Sequence, residues 1–265
     1  MITSSANGKV KQVMNLIKKA KARNDSGLFV AEGLRIFKEI PPELIDSVFV
    51  SESFLKEAEQ RRLVSGLKHE VLTDEVFSAM SDTRSPQGIL ALVKQRSYTT
   101  EDLIRAPGPA FLLILETIQD PGNLGTIIRA GEGAGITGVL MNSTTADIYN
   151  PKVIRSTMGS VFRVPFAYTS DLTASILQLK ERGIQLYAAH LDGRNNYEKE
   201  DYTVDTGFLI GNEANGLSED IAKLADAYIK IPMMGRVESL NAAVAASVLM
   251  FETARQRREQ SLLKK

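Results

Sequence analysis

The stretch Phe111-Leu112-Leu113-Ile114-Leu115-Glu116-Thr117-Ile118-Gln119-Asp120-Pro121-Gly122-Asn123-Leu124-Gly125-Thr126-Ile127-Ile128-Arg129-Ala130 passes from an apolar strand through a polar loop into a helix. Every residue from Phe111 to Leu115 is apolar, the pattern of a strand covered on both faces. The same succession returns twice. Phe208-Leu209-Ile210-Gly211-Asn212-Glu213-Ala214-Asn215-Gly216-Leu217-Ser218 runs from a strand into a polar, glycine-bearing loop. Ile231-Pro232-Met233-Met234-Gly235-Arg236-Val237-Glu238-Ser239-Leu240-Asn241-Ala242-Ala243-Val244-Ala245-Ala246-Ser247 leaves a short strand at Pro232 and opens an alanine-rich helix. That helix is apolar on nearly every side, so it is expected to be buried. Ser239 and Asn241 stand at its start. They read either as caps on free N–H groups or as polar groups opening onto a pocket.

Around these stretches strands and helices alternate. Residues 138–141, 161–165, 184–189 and 227–231 read as further strands, and residues 151–158, 175–182 and 219–224 as helices. Apolar strands alternating with helices predict an α/β domain over residues 110–265, a parallel sheet with helices on both faces. Residues 1–96 read as a smaller α/β domain. Val10, Val13, Met14 and Ile17 line one face of a helix over residues 9–22. Asn24-Asp25-Ser26-Gly27 breaks it, and strands are expected at 28–31, 48–50, 70–72 and 89–93. Residues 97–109 lose periodicity, contain Pro107-Gly108-Pro109 and read as a linker.

The length of 265 residues suits one large or two ordinary domains. With no cysteine, disulfides, thiolate zinc sites and cysteine nucleophiles are excluded, and a reducing cytosol fits. No apolar signal region opens the chain and no run is long enough to span a bilayer, so a cytoplasmic protein without membrane contact is expected. His69 and His190 are the only histidines and read as surface or packed residues, so no metal site is expected. Basic and acidic residues balance at 32 each, which argues against a chain that is a phosphate binder all over. The charge is unevenly spread, however. Lys9, Lys11, Lys18, Lys19, Lys21, Arg23, Arg35 and Lys38 crowd the start, and Arg255, Arg257, Arg258, Lys264 and Lys265 close the chain. These are solvated helix faces or a local phosphate-binding surface.

Gly131-Glu132-Gly133-Ala134-Gly135 closes a helix instead of opening one after a strand. It reads as a C-cap and tight turn and not as a dinucleotide fingerprint. Phosphate-loop and nucleophile-elbow patterns are absent.

In order and spacing, the three strand-to-helix stretches resemble the motifs of the SpoU/TrmH family, RNA ribose 2′-O-methyltransferases of the SPOUT class. Leu28-Phe29-Val30-Ala31-Glu32-Gly33 and Ser81-Asp82-Thr83-Arg84-Ser85-Pro86-Gln87-Gly88 resemble the substrate-binding domain that many members carry. The resemblance implies a trefoil-knotted methyltransferase domain at 110–265 and an RNA-binding domain at 1–96. It implies S-adenosylmethionine as cofactor without a metal, RNA as substrate with ribosomal RNA ahead of transfer RNA, and a homodimer. Donor binding would fall to Ala189, Gly211, Ile231 and Leu240, through main-chain groups and apolar walls.

The family's N-x-G-x-x-x-R motif is intact as Asn123, Gly125 and Arg129, with Asn123 and Arg129 about two helical turns apart. The implied catalytic set is Arg129, Asn123, Glu213, Ser239 and Asn241. A guanidinium hardly deprotonates in a protein, so Arg129 reads as a clamp on the target phosphate, with that phosphate or a water taking the proton. Glu213 would orient Arg129 or the substrate, and Ser239 and Asn241 would position polar groups around the ribose. Asn142, Arg155 and Asn212 are further candidates, and Lys18, Lys19 and Arg84 are the expected RNA contacts. Two other readings stand beside this one: a non-catalytic RNA-binding protein that keeps the fold, and a nucleotide-dependent dehydrogenase, which the misplaced glycines disfavour.

Overall fold

A computed structural model of the protein describes residues 1–191 and 193–263; Lys264 and Lys265 of the closing basic cluster lie outside them. The chain forms two units, residues 1–96 with 147–162, and residues 97–146 with 163 to the C-terminus.

The first unit begins with α1 (Gly8–Lys18) and α2 (Ala20–Ser26), followed by β1 (Leu28–Glu32), α3 (Leu34–Phe37), β2 (Ile45–Ser51), α4 (Ala58–Leu63), β3 (His69–Leu72), α5 (Asp74–Met80) and β4 (Ile89–Lys94). The sheet order is β1-β4-β2-β3, antiparallel except for the parallel pair β2 and β3. Val10, Val13 and Leu16 of α1 pack with Val30, Phe49, Leu72 and Phe77 into one core. The helix expected over 9–22 is two helices. Lys19 is extended (φ −124°, ψ 115°), and the chain stays helical through Asn24, Asp25 and Ser26 until Gly27 caps it at φ +64°. Arg23 seals the break. Only 3% exposed, it donates through Nη1 to the freed carbonyls of Leu16 (2.6 Å) and Ile17 (3.2 Å) and pairs with Asp147. It is therefore a buried brace, not the surface cation that the basic start suggested.

The second unit opens with α6 (Thr100–Ile104), β5 (Phe111–Leu115), α7 (Pro121–Ala134) and β6 (Gly138–Asn142). The next helix, α8 (Pro151–Thr157), belongs to the first unit. The second unit then continues with β7 (Phe166–Thr169), α9 (Leu172–Glu181), β8 (Gln185–Ala189), β9 (Asn195–Asn196), β10 (Thr206–Ile210), α10 (Glu219–Ala222), β11 (Ala227–Lys230) and α11 (Ala242–Leu263). Seven strands form one parallel sheet in the order β7-β6-β5-β10-β8-β11-β9. β5 and β10 are buried at every position, as their unbroken apolar runs require.

Several local expectations change. Residues 97–109 are not a structureless linker: Thr99 and Asp102 form a capping box that starts α6, and Leu103 is buried where a Cβ on Gly138 would meet it at 2.6 Å. Residues 160–162 form a turn of 3₁₀ helix in place of a strand, and the strand comes later, at β7. The two-residue β9 was not foreseen. Nor is α11 buried all round. Ala243, Ala246, Leu249, Met250 and Thr253 face inward, while Val244 and Phe251 are about half exposed. The buried positions fall on one stripe of the helix, so an apolar run alone overstated how much of its circumference is covered.

Candidate functional site

Three loops at the carboxyl ends of parallel strands build the site, where open α/β sheets place their ligands. The first follows β5 and enters α7. Asp120 caps that helix by accepting from the Asn123 N–H at 2.8 Å, with Pro121 in its first turn. The second follows β10. Asn212 and Gly216 bridge to each other through both backbone hydrogen bonds, and a Cβ on Gly211 would overlap the backbone of Gly216 and Leu217. Only glycine allows that approach. The third follows β11 and ends at α11, where Asn241 Oδ1 accepts from the N–H groups of Ala243 (3.0 Å) and Val244 (3.3 Å). The cap expected of Asn241 is formed.

A hydrogen-bond chain ties the three loops together. With its oxygen committed to the helix N-terminus, Asn241 turns Nδ2 to Asn123 Oδ1 at 2.9 Å. Asn123 then turns Nδ2 to Glu213 Oε1, also at 2.9 Å. Glu213 further accepts from the N–H groups of Gln119 and Asp120, both at 3.3 Å. Each amide orientation is dictated by the one before it. Burial pulls the Glu213 carboxyl upward, but the donors from Asn123, Gln119 and Asp120 outweigh it and hold the group below the usual carboxylate range.

Arg129 is exposed on α7, and its guanidinium makes no hydrogen bond or ion pair among the described residues. Glu213 therefore holds the first loop and Asn123; of the two roles expected of it, a contact with Arg129 is not formed among the described residues. Ser239 is exposed and lines the cavity described below. Asn142 and Asn212 act on the loop as well. Asn142 accepts from the Thr117 N–H (2.9 Å) and donates to its hydroxyl (2.9 Å), and Asn212 donates to the Thr117 carbonyl at 2.8 Å. They fix Thr117 at φ +59°, a left-handed conformation that a β-branched residue rarely adopts. Glu116 accepts from the N–H and hydroxyl of Ser218, at 2.8 and 2.7 Å, and so pins the far end of the second loop. Neither Glu116 nor Thr117 was singled out from sequence, where nothing marks Thr as left-handed. Arg155 belongs to the first unit, where it pairs with Asp82 at 2.9 Å. Lys18, Lys19 and Arg84 are also in that unit, and all three are exposed.

Beside the hydrogen-bond chain lies a cavity of about 730 Å³. All four residues expected to meet a donor, Ala189, Gly211, Ile231 and Leu240, line it. Glu213 and Ser239 reach it too. Its walls combine apolar Leu191, Ile210, Leu217 and Ile229 with polar His190, Asn212 and Lys230, the mixture usual in small-molecule sites.

Residues 110–251 match the model of the SpoU rRNA methylase family, and residues 7–91 match an MRM3-like substrate-binding domain. A 23S rRNA (guanosine(2553)-2′-O)-methyltransferase, RlmP, of Bacillus subtilis is 31% identical over 94% of this chain and 97% of its own. Among solved structures, the SpoU methyltransferase AviRb of Streptomyces viridochromogenes, in complex with the cofactor AdoMet, superposes with a TM-score of 0.85 at 25% identity, covering 96% of this chain and all of that one. An AdoMet-bound rRNA methyltransferase from Sinorhizobium meliloti gives 0.83 at 30% identity, over 96% and 97% of the two chains.

Proposed function

The chain belongs to the SpoU rRNA methylase family, and on that premise we propose that it transfers a methyl group from S-adenosylmethionine to a ribose 2′-hydroxyl of RNA, ribosomal RNA first. One observation carries the reading: Glu213, Asn123 and Asn241, one from each motif loop, are joined in a single chain beside a cavity lined by all four expected donor contacts. The bound donor supplies an electrophilic methyl on a sulfonium. Ala189, Gly211, Ile231 and Leu240 hold it through backbone groups and apolar walls. Asn123, Asn241 and Glu213 fix the loops, and much of the acceleration comes from that alignment. Arg129, with its guanidinium free, clamps the phosphate of the target nucleotide, and Ser239 supplies a hydroxyl toward the ribose.

The basic first unit recruits RNA through Lys18, Lys19 and Arg84, in keeping with its match to a substrate-binding domain. The half-exposed Val244 and Phe251 on α11 support a homodimer. β10 lies between β5 and β8, two strands that precede it in the chain, and this supports the family's trefoil crossing, rare as knots are. A cytoplasmic protein fits the RNA substrate.

Titration with S-adenosylmethionine, S-adenosylhomocysteine and NAD tests the chemistry, with binding of the first two and not the third expected. Mapping ribose methylation in RNA from cells lacking the protein identifies the target. Loss of one 2′-O-methyl from ribosomal RNA is expected; loss from transfer RNA alone would reassign the substrate, and no loss from either would reject the activity.

A further inference from the structure

A second cavity, of about 290 Å³, lies in the first unit. Ser51 and Ser53 from the end of β2, Phe54 and Glu57 beyond it, Asp74 on α5 and Gly88 before β4 are among its walls. The cavity is preformed. Ser51 Oγ accepts from the Phe54 N–H at 3.2 Å. Asp74 Oδ1 accepts from the Ser53 N–H (3.1 Å) and hydroxyl (2.6 Å). Gly88 closes over this floor at φ +76°, where a Cβ would lie 2.6 Å from Ser51 Oγ and 3.0 Å from Phe54 Cβ. Its size is at the lower end of ligand sites, roughly 300 Å³, which suits one planar ring system.

The groups left without partners decide the chemistry. The Glu57 carboxylate makes no hydrogen bond or ion pair among the described residues, and both bonds from Ser53 fall on Oδ1 of Asp74. The Ser53 hydroxyl holds the Asp74 carboxyl below the usual carboxylate range, so it accepts and does not donate. Gln87 spends its oxygen on the Leu34 N–H at 2.7 Å, which leaves its amide nitrogen as a donor. Phe54, Phe77 and Pro86 add apolar wall. Around these acceptors stand cations: Lys56 lies close enough to Asp74 to act on its charge, and exposed Arg84 is two residues before Pro86. An acceptor-lined pit beside positive charge excludes a free anion, and the neighbouring cations disfavour an arginine or lysine from a partner. It suits a ring with adjacent N–H donors attached to a phosphate backbone. Among the bases only guanine presents an N1–H beside an amino group, and RNA readers take unpaired bases by their edges and faces in this way.

We propose that this cavity binds one unpaired guanine base of the RNA substrate, with Asp74 as acceptor for its N1–H and Glu57 as acceptor for its 2-amino group. The proposal rests on the RNA reading above, and its test does not use methylation. The full chain, with S-adenosylhomocysteine present, is titrated with the 5′-monophosphates of guanosine, inosine, adenosine, cytidine and uridine while backbone amide signals are followed. Guanosine monophosphate is expected to shift Ser53, Phe77 and Gly88. Inosine monophosphate lacks the 2-amino group and is expected to bind about tenfold more weakly, the loss of one hydrogen bond to a charged group. Glu57→Gln should reduce that preference to about threefold or less. Ser78→Phe, on an exposed cavity residue, should abolish the shifts with melting unchanged. Equal binding of all five nucleotides, no shift at these amides, or an undiminished preference in Glu57→Gln would overturn the proposal. Donor affinity measured on the same samples separates the two readings: a chain that binds S-adenosylmethionine but no guanine loses the base pocket and keeps the methyltransferase.

Discussion

Replacing Asn123 with aspartate separates a contact that organises the site from one that merely fills space. Asn123 donates to Glu213 at 2.9 Å and accepts from Asn241 at 2.9 Å. Asn123→Asp keeps the shape and the acceptor but sets a second carboxylate against Glu213. Two unit charges about 4 Å apart repel by about 1 kcal/mol in water and about 4 kcal/mol at an effective dielectric of 20. Glu213 is exposed, so the lower part of that range applies, about 1–2 kcal/mol. The lost hydrogen bond adds about 1 kcal/mol. Asn123→Ala loses two bonds without adding charge and should cost about 1–2 kcal/mol. Aspartate, the closer isostere, is therefore expected to be the worse substitution at neutral pH, by roughly 2–4 °C in melting temperature for each kcal/mol.

The pH dependence gives the sharper readout. In the wild type the folded-state pKa of Glu213 is depressed. Its contribution is present above the ordinary value of about 4.5 and is lost as pH falls through the depressed one. In Asn123→Asp the facing carboxylates raise one pKa above its unfolded value. The folded form then takes up the proton more readily, and the penalty is relieved as pH falls through that raised value. Between about pH 6 and 4, the difference in melting temperature between the two proteins should narrow, while that between wild type and Asn123→Ala should not widen. Melting curves across this range, with S-adenosylmethionine affinity beside them, provide the measurement. If Asn123→Asp and Asn123→Ala melt alike at every pH, the link between Glu213 and Asn123 is not formed in solution and the argument fails.

Arg129→Ala should retain melting temperature and donor affinity but lose about a hundredfold or more in single-turnover methylation, with poor rescue by lysine, which lacks the planar fork; a near-normal rate in the folded protein would remove Arg129 from the site. Gly211→Ala should abolish donor binding in calorimetry, since its methyl group would overlap Gly216, and unchanged affinity would mean that this loop is not the donor wall. Arg257 donates to the carbonyls of Tyr202, Pro109, Ala110 and Val204 and lies 5.0 Å from the Phe111 ring centre. Arg257→Ala should cost about 2–4 kcal/mol in denaturant unfolding, and a loss below about 1 kcal/mol would show those carbonyls to be well served by water. Lys18→Glu with Lys19→Glu should weaken RNA binding and flatten its salt dependence; an unchanged salt slope would exclude that face.

The parallel sheet was legible because β5, β6 and β10 are short runs, apolar at nearly every position, that alternate with helices, as strands covered on both faces do. That Ala189, Gly211, Ile231 and Leu240 share one cavity could be anticipated only through the motif resemblance, since Ala189, Ile231 and Leu240 are ordinary core types. Three features were hidden for physical reasons. The break at Lys19 is imposed by Arg23 reaching back to α1 carbonyls, a tertiary contact that periodicity does not encode. The partial exposure of α11 follows from its packing on one stripe, Ala243, Ala246, Leu249, Met250 and Thr253, which leaves Val244 and Phe251 on the open side, and an apolar run does not say which side is covered. The link from Glu213 to Asn123 was hidden because the chain spacing that brings Arg129 onto the same helix as Asn123 says nothing about which way either side chain turns.

The fate of the 2′-hydroxyl proton follows from the two charged groups near the proposed reaction. Arg129 cannot accept it, because a guanidinium stays protonated. Glu213 is a carboxylate, but its oxygens already receive donors from Asn123, Gln119 and Asp120, and those donors lower its proton affinity. A general base works best with a pKa near the operating pH, and a carboxylate held below its usual range is the opposite. Using Glu213 as base would also weaken the hydrogen bonds that hold the first loop, because a neutral carboxyl is a poorer acceptor than a carboxylate. Under the proposed reading, then, neither side chain is the proton acceptor. Arg129 holds the substrate phosphate close to the attacking oxygen, and the phosphate or a water receives the proton as the methyl is transferred. A rate–pH profile for the wild type should accordingly show no break attributable to Glu213 above its depressed pKa, and Glu213→Gln should change melting and donor affinity more than it changes the shape of that profile. A profile whose acidic limb disappears in a well-folded Glu213→Gln would make Glu213 the base and reverse the assignment.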